Sequence, residues 1–232
     1  MSRLTLLLLE GAWPQQVDAA LQGFGFAMGP FRMYDVVGID LEWRARELAG
    51  KGQDEPAVQV DNRLCDLGRF GQKAGMGYYR YAAGSRQAEH DPEVDALVQL
   101  LSEQLGFVRR EIGAEEILER CLLALVNEGA KILEEGIAAS SHDIDRVYLN
   151  GYGFPADQGG PMAWADEQGA ADILARLQAL QARCGEHWQP ARLIESLAAS
   201  GQRFADVRVA DMRVADMRVS DMRVSDVREG RA

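Results

Sequence analysis

Several residues in this chain have the types and spacing to do chemistry. Gly23-Phe24-Gly25-Phe26-Ala27-Met28-Gly29 and the glycine-rich run from Gly68 to Gly77 are rich in the residue that lets a backbone approach a phosphate closely. In the first, three residues separate the second and third glycines, which is one more than a dinucleotide fingerprint has, and no strand-turn-helix pattern surrounds it. The second lacks P-loop spacing. Its Lys73 has the charge to meet a phosphate, but a solvated turn lysine is the better reading. Both stretches are therefore read as turns that need glycine. The three histidines offer the usual general base. His90 precedes a helix cap, His142 lies in a Ser-Ser-His-Asp turn at a helix start, and His187 precedes Trp188 in a loop; each reads as a surface or capping residue. Cys65, Cys121 and Cys184 are odd in number, far apart and without metal-ligand spacing, so they read as free thiols, and no metal site is expected. No catalytic residue is assigned.

The aspartates are more informative because they recur. Residues 10–35 and 135–166 repeat one order of motifs. Glu10-Gly11 and Glu135-Gly136 open each copy. Val17-Asp18 and Ile144-Asp145 follow, then Gly-aromatic-Gly-Phe at Gly23–Phe26 and Gly151–Phe154. Gly29-Pro30 and Gly160-Pro161 come next, each followed by an aspartate, Asp35 or Asp166. A fixed order with small insertions indicates a duplicated structural unit. An aspartate recurring near a helix start reads as a cap or a hydrogen bond within the unit.

The elements that must position these residues are helical. Over 115–137 the apolar residues Leu118, Cys121, Leu122, Leu125, Ile132, Leu133 and Ile137 share one face. Pro92 to Leu105 predicts another helix, with Asp91 as N-cap and Pro92 at the first position. Pro30 and Pro161 open equivalent helices, and Pro190 opens a last one to Ala199. Gly77–Tyr81 is the best strand candidate and is short. The polar stretch from Ala82 to Asp91 is linker-like. The expected organisation is a first helical domain over 1–81, a linker and connecting helix over 82–111, a second domain over 112–200, and a tail over 201–232. From Ala205 the tail repeats a five-residue unit, Ala-Asp-Val-Arg-Val and its variants. It is similar to the pentapeptide-repeat β-solenoid, but five copies make little more than one coil, so it reads as disordered.

Bulk properties narrow the function classes. With 232 residues and 47% hydrophobic content, the chain can bury one or two small cores. A net charge of −11 argues against nucleic acid and an anionic membrane face. The apolar run Leu4–Leu9 is too short for a signal peptide and is interrupted by Glu10, and no segment has membrane-span length. A cytoplasmic protein is expected.

Taken together, residues 10–40, Leu67–Tyr81, Glu116–Ala138 and Gly153–Asp166 resemble the C-terminal half of the 3-hydroxyacyl-CoA dehydrogenases, above all the bacterial multifunctional fatty-acid β-oxidation proteins, which carry this helical domain twice. The resemblance covers about residues 4–200. It implies an all-α fold of two tandem domains, similar to the C-terminal domain of 6-phosphogluconate dehydrogenase. It also implies a part in NAD-dependent oxidation of 3-hydroxyacyl-CoA to 3-ketoacyl-CoA. In that family a Rossmann domain binds NAD and supplies the catalytic His and its orienting Glu, while the helical half closes the acyl-CoA cleft and makes the oligomer contact. No cofactor is expected on this chain alone, and it is expected to be inactive by itself. The family's substrate-contacting Asn-Arg pair has no match, since Met1-Ser2-Arg3 falls too late. The first copy is expected to have lost about half of its opening helix, leaving Leu4–Leu9 as a stub with exposed apolar surface. The resemblance places Met28, Gly29, Pro30 and Phe31 at the acyl side of the cleft. Asn127, Glu128 and Trp164 are expected at the contact between units, where Trp13 also packs. The expected partners are an acyl-CoA substrate and a separate Rossmann-domain chain or a second copy of the chain. The alternative is a non-catalytic helical scaffold that self-associates or pairs with a β-oxidation multienzyme.

Overall fold

The computed structural model describes residues 2–50 and 52–207, and the pentapeptide run beyond Val207 lies outside them. The described residues form α-helices joined by turns, and they divide into two compact units that meet between Cys121 and Leu122.

The first unit opens with α1 (Ser2–Glu10), α2 (Pro14–Phe24), α3 (Pro30–Val37), α4 (Asp40–Ala49) and α5 (Pro56–Asp66). Pro at the first position starts α2, α3 and α5, where its missing N–H costs nothing. Gln16 reaches back to the Trp13 N–H at 3.0 Å, and Gly25, at φ +121°, ends α2. After α5 the chain forms a tight turn at Gln72–Ala74, then α6 (Pro92–Gln104) and the first part of α7 (Ala114–Glu134). Asp91 caps α6 as expected, its carboxylate accepting from the Glu93 N–H at 3.1 Å.

The expected exposed stub is instead core. Leu6, Leu7, Leu8 and Leu9 are all buried, because α1 packs against both α5 and α6. Arg120 of α7, itself fully buried, places both ends of its guanidinium on the Glu10 carboxylate at 2.7 and 2.6 Å. Thr5 donates to the Ala57 carbonyl at the start of α5.

The strand expected at Gly77–Tyr81 forms only isolated bridges, Gly71 with Met76, Met76 with Arg80, and Arg80 with Glu89. The reason is that a side chain takes the donors of Tyr78 and Tyr79, leaving them none to give a ladder. Asp91, at the end of the polar stretch 82–91, is buried between Arg69 and Arg80.

The second unit repeats the order. The rest of α7 is followed by α8 (Ser141–Gly151), α9 (Pro161–Gln168), α10 (Ala170–Cys184) and α11 (Arg192–Ser200). Ser140 caps α8 by accepting from the Asp143 N–H at 3.3 Å. The expected tail begins later than Gly201. Phe204 is buried and starts a short 3-10 turn to Asp206, so the fold of this unit continues past α11. The last helix begins at Arg192 rather than Pro190, and side chains on α7 engage the backbone at its start. Asn127 accepts from the Ala191 N–H at 2.8 Å, and Glu134 accepts from the Leu193 N–H.

Candidate functional site

The repeated aspartates form the same pair of clasps in each unit. Asp18, on α2, accepts from the N–H groups of Phe31 and Arg32 at 2.8 and 3.0 Å, so it caps α3 from outside. Asp145, on α8, does the same for α9, accepting from Met162 at 2.7 Å and Ala163 at 3.4 Å. The first N–H groups of a helix have no partner within it, and an anion there also meets the positive end of the helix dipole. The invariant Gly-Pro of the repeat follows from this clasp. A Cβ on Gly29 would lie 2.2 Å from the Asp18 Cβ, and one on Gly160 would lie 2.4 Å from the Asp145 Oδ1.

The second clasp reaches forward along the chain. Asp35 accepts from the N–H groups of Tyr78 and Tyr79 at 2.8 and 2.9 Å and from the Tyr81 hydroxyl at 3.0 Å. Asp166 accepts from Phe204 and Ala205 at 2.6 and 3.0 Å. Phe204-Ala205 is therefore the counterpart of Tyr78-Tyr79. The first unit adds phenols to this frame. The Tyr79 hydroxyl donates to Asp18 at 2.7 Å, and the Tyr78 hydroxyl donates to Asp61 on α5. Ala205 offers Asp145 no such donor.

This network binds protons tightly. Burial pushes the Asp35 carboxyl up to about 6, against the opposing pull of the Tyr78 and Tyr79 N–H groups and the Tyr81 hydroxyl. Burial also pushes Asp61 up to about 6, opposed by the Tyr78 hydroxyl and the charge of Arg46, and it raises Asp18. The phenols of Tyr34, Tyr78, Tyr79 and Tyr81 are raised by burial and by the neighbouring carboxylates, so they stay protonated as donors. A carboxyl whose folded pKa lies above its unfolded value favours the folded state at low pH. That contribution is complete below the unfolded value near 3.8 and is lost as pH rises through about 6. The first unit is expected to lose stability between pH 4 and about 6 from these two groups. Asp61→Asn should flatten that slope, and denaturation midpoints of both proteins across pH 4–8 would show it. Parallel curves would mean that Asp61 titrates as it does in the unfolded chain.

The expected substrate turn is built by the first clasp. Phe31 is fully buried with its ring 4.6 Å from that of Tyr78, Pro30 is buried, and Gly29 presses on Asp18. Met28 alone of the four is half-exposed. Lys73 lies in its turn as an ion-pair partner of Asp40. Asn127 is buried, and both ends of its amide are used within the second unit, by the Gln189 carbonyl at 2.9 Å and the Ala191 N–H. Glu128 is exposed and Trp164 is buried. Trp13 carries the Arg109 guanidinium 4.3 Å above its ring.

Gly23 lies inside α2 and Gly25 ends it, so this stretch is a helix terminus and does not fit a dinucleotide cradle. Among the described residues, no cluster of His, Cys, Asp and Glu has metal-site geometry, and no helix is long and apolar enough to cross a membrane. His90 pairs with Asp95 at 2.7 Å on the surface. Burial pushes the Cys65 and Cys121 thiols up to about 12, which leaves them poor nucleophiles.

The model of the 3-hydroxyacyl-CoA dehydrogenase C-terminal domain matches residues 1–81 and again 117–205. The chain belongs to the 3-hydroxyacyl-CoA dehydrogenase C-terminal domain family. The Danio rerio peroxisomal bifunctional enzyme is 41% identical over 87% of this chain and 30% of its own length. The fatty acid oxidation complex subunit alpha of Shewanella amazonensis is 35% identical over 88% of the chain and 28% of its own length. The chain thus spans less than a third of these relatives, and it shares more identity with the peroxisomal enzyme than with the bacterial subunit. The dehydrogenase part of Caenorhabditis elegans multifunctional enzyme 1 has the same fold, with a TM-score of 0.64 and 24% identity over 83% of this chain and 44% of that one. Escherichia coli 3-hydroxybutyryl-CoA dehydrogenase superposes with a TM-score of 0.62 and 20% identity over 85% of this chain and 57% of that one.

The sequence reading missed Asp61, Arg69 and Arg120 of this dehydrogenase-family domain. Each is a charged residue buried by a partner far along the chain, Tyr78, Asp91 and Glu10 respectively, and no local motif marks such a pair. The duplication was the one usable signal, and these three residues have no counterpart in it.

Proposed function

We propose that this chain is the substrate-closing and oligomerising part of an NAD-dependent 3-hydroxyacyl-CoA dehydrogenase of fatty-acid β-oxidation. The observation that supports this reading most is the pair of aspartate clasps repeated in both units, within two successive matches to the same family domain. The clasps hold the Met28–Phe31 turn rigid. In this reading Met28 meets the acyl chain, while Gly29, Pro30 and Phe31 set its position from beneath. Hydride transfer needs bound NAD and a general base. The glycine stretch does not fit the cofactor, so both belong to a Rossmann domain outside the residues described. The cytoplasmic location remains part of the proposal, as relatives include an enzyme named peroxisomal and a bacterial subunit.

The test follows NADH consumption with acetoacetyl-CoA. The purified chain is expected to give no turnover, and adding a nucleotide-binding half of this family should restore it. Turnover by the chain alone would overturn the assignment of cofactor and base to another domain. No turnover in either case would favour the non-catalytic scaffold.

A further inference from the structure

The two units close the same clasps and differ at two positions that the clasps connect. Aligned on Gly29 with Gly160, Met28 falls opposite Gly159. Aligned on the donors to Asp35 and Asp166, Tyr79 falls opposite Ala205. The first unit thus has a side chain on its turn and a phenol in its clasp, and the second has neither. Asp145 caps α9 through Met162 and Ala163 without a phenol, so the clasp itself forms without one. The Tyr79 hydroxyl goes with the Met28 side chain, not with the fold of the repeat.

Tyr79 gives its two donors to two carboxylates. Its N–H goes to Asp35 at 2.9 Å and its hydroxyl to Asp18 at 2.7 Å. The segment that carries it is held by further bonds. The Tyr79 carbonyl accepts from the Gly77 N–H at 2.8 Å, and Arg80 and Glu89 exchange backbone hydrogen bonds of 2.9 Å. The Arg80 guanidinium meets buried Asp91 at 2.8 Å. Tyr79 is buried, and burial and the charge of Asp18 keep its phenol protonated, so it remains a donor. Asp18 uses one oxygen for the Phe31 N–H and the other for both the Arg32 N–H and the Tyr79 hydroxyl. Through Asp18 the fixed segment therefore grips the first turn of α3, and Met28 lies two residues before that helix. A side chain that contacts a ligand needs its support locked by packing and hydrogen bonds.

We propose that Tyr79 is a positioning residue for acyl-CoA binding, which through Asp18 holds the Met28 turn against the acyl chain, and that the Gly159 turn of the second unit has no such part. This inference rests on the function proposed above. The test is a double-mutant cycle of Tyr79→Phe and Met28→Ala, each chain combined with a nucleotide-binding half of this family and assayed with NADH and 3-ketodecanoyl-CoA. Tyr79→Phe keeps the ring and the N–H bond to Asp35 and removes only the hydroxyl. It should melt within a few degrees of the wild type, since the second unit folds its clasp without that bond. Its KM should rise about three- to tenfold with kcat within about twofold, the mark of lost substrate binding. In the Met28→Ala background the same change should move KM by less than about twofold, because substitutions that act through one contact do not add. A rise of equal size in both backgrounds would make the hydroxyl a general support of the fold and overturn the inference. An unchanged KM or an unfolded Tyr79→Phe chain would overturn it too. A Met28→Ala chain with the wild-type KM would remove the contact that Tyr79 serves, and the inference with it. In each of these cases the wild-type chain would still restore turnover, and the dehydrogenase assignment would stand. Failure of the wild-type chain to restore turnover would overturn both.

Discussion

Asp35→Ala is expected to unfold the first unit at moderate temperature, whereas Asp166→Ala should leave the second unit folded. Asp35 is fully buried and serves three donors, the N–H groups of Tyr78 and Tyr79 and the Tyr81 hydroxyl. Alanine strands all three away from water. Each buried donor left unsatisfied costs about 1–3 kcal/mol, so the loss is roughly 3–9 kcal/mol. Removing a carboxylate that burial itself disfavours returns part of that. The remainder is still a large share of the about 5–15 kcal/mol that holds a domain together. Asp166 serves two donors, is only half-buried, and one of its donors, Ala205, is exposed, so water can replace it. A loss of about 1–2 kcal/mol is expected there. Hydrogen exchange resolved by unit separates the two outcomes. Asp35→Ala should abolish protection in α3 and across residues 71–81, and Asp166→Ala should only lower it near Phe204. Equal losses would show that burial is not what makes the first clasp strong.

The contrast also shows how far the sequence carries. Helix positions were legible because they depend on local facts. Pro30 and Pro161 fix their own φ, Asp91 needs only Glu93 nearby, and the apolar stripe of α7 follows from its period. The two copies also exposed the aspartates, since nothing else in the repeat is polar, short and always in place. What the aspartates hold was not legible. Asp35 reaches 43 residues ahead to Tyr78, Asp166 reaches 38 to Phe204, and Arg120 reaches 110 back to Glu10. Such partners are chosen by how helices pack, which periodicity does not encode. The apolar run Leu4–Leu9 failed for the same reason. The partners that bury it, α5 and α6, lie beyond three intervening helices. The Gly77–Tyr81 stretch has strand composition, but a distant carboxylate claims its donors. In the Met28–Phe31 turn the sequence marked four residues alike, and packing separates them, leaving Met28 alone with a side chain at the surface.

Glycine substitutions should test the first clasp most severely. Gly29 has an ordinary helix-entry backbone, φ −70°, so conformational freedom does not explain it. Space does. A Cβ there would lie 2.2 Å from the Asp18 Cβ and Cγ and 2.5 Å from its Cα. Asp18 has no room to retreat, because Phe31, Arg32 and Tyr79 hold its carboxylate. Gly29→Ala must therefore part α2 from α3 and give up the cap. Overpacking costs about 1–3 kcal/mol and a lost cap about 0.5–2 kcal/mol, so a total of about 1.5–5 kcal/mol is expected. Gly23→Ala is the control from the same motif. It lies within α2 with no atom near the added methyl, and alanine is the better helix former by up to about 1 kcal/mol. Its melting temperature should be unchanged or higher. Gly160→Ala should fail as Gly29→Ala does, with a second cause added, because φ at Gly160 is +111°. A Gly29→Ala protein that melts with the wild type would mean that Asp18 can yield. The clasp would then be a consequence of helix packing, not the constraint that sets the Met28 turn.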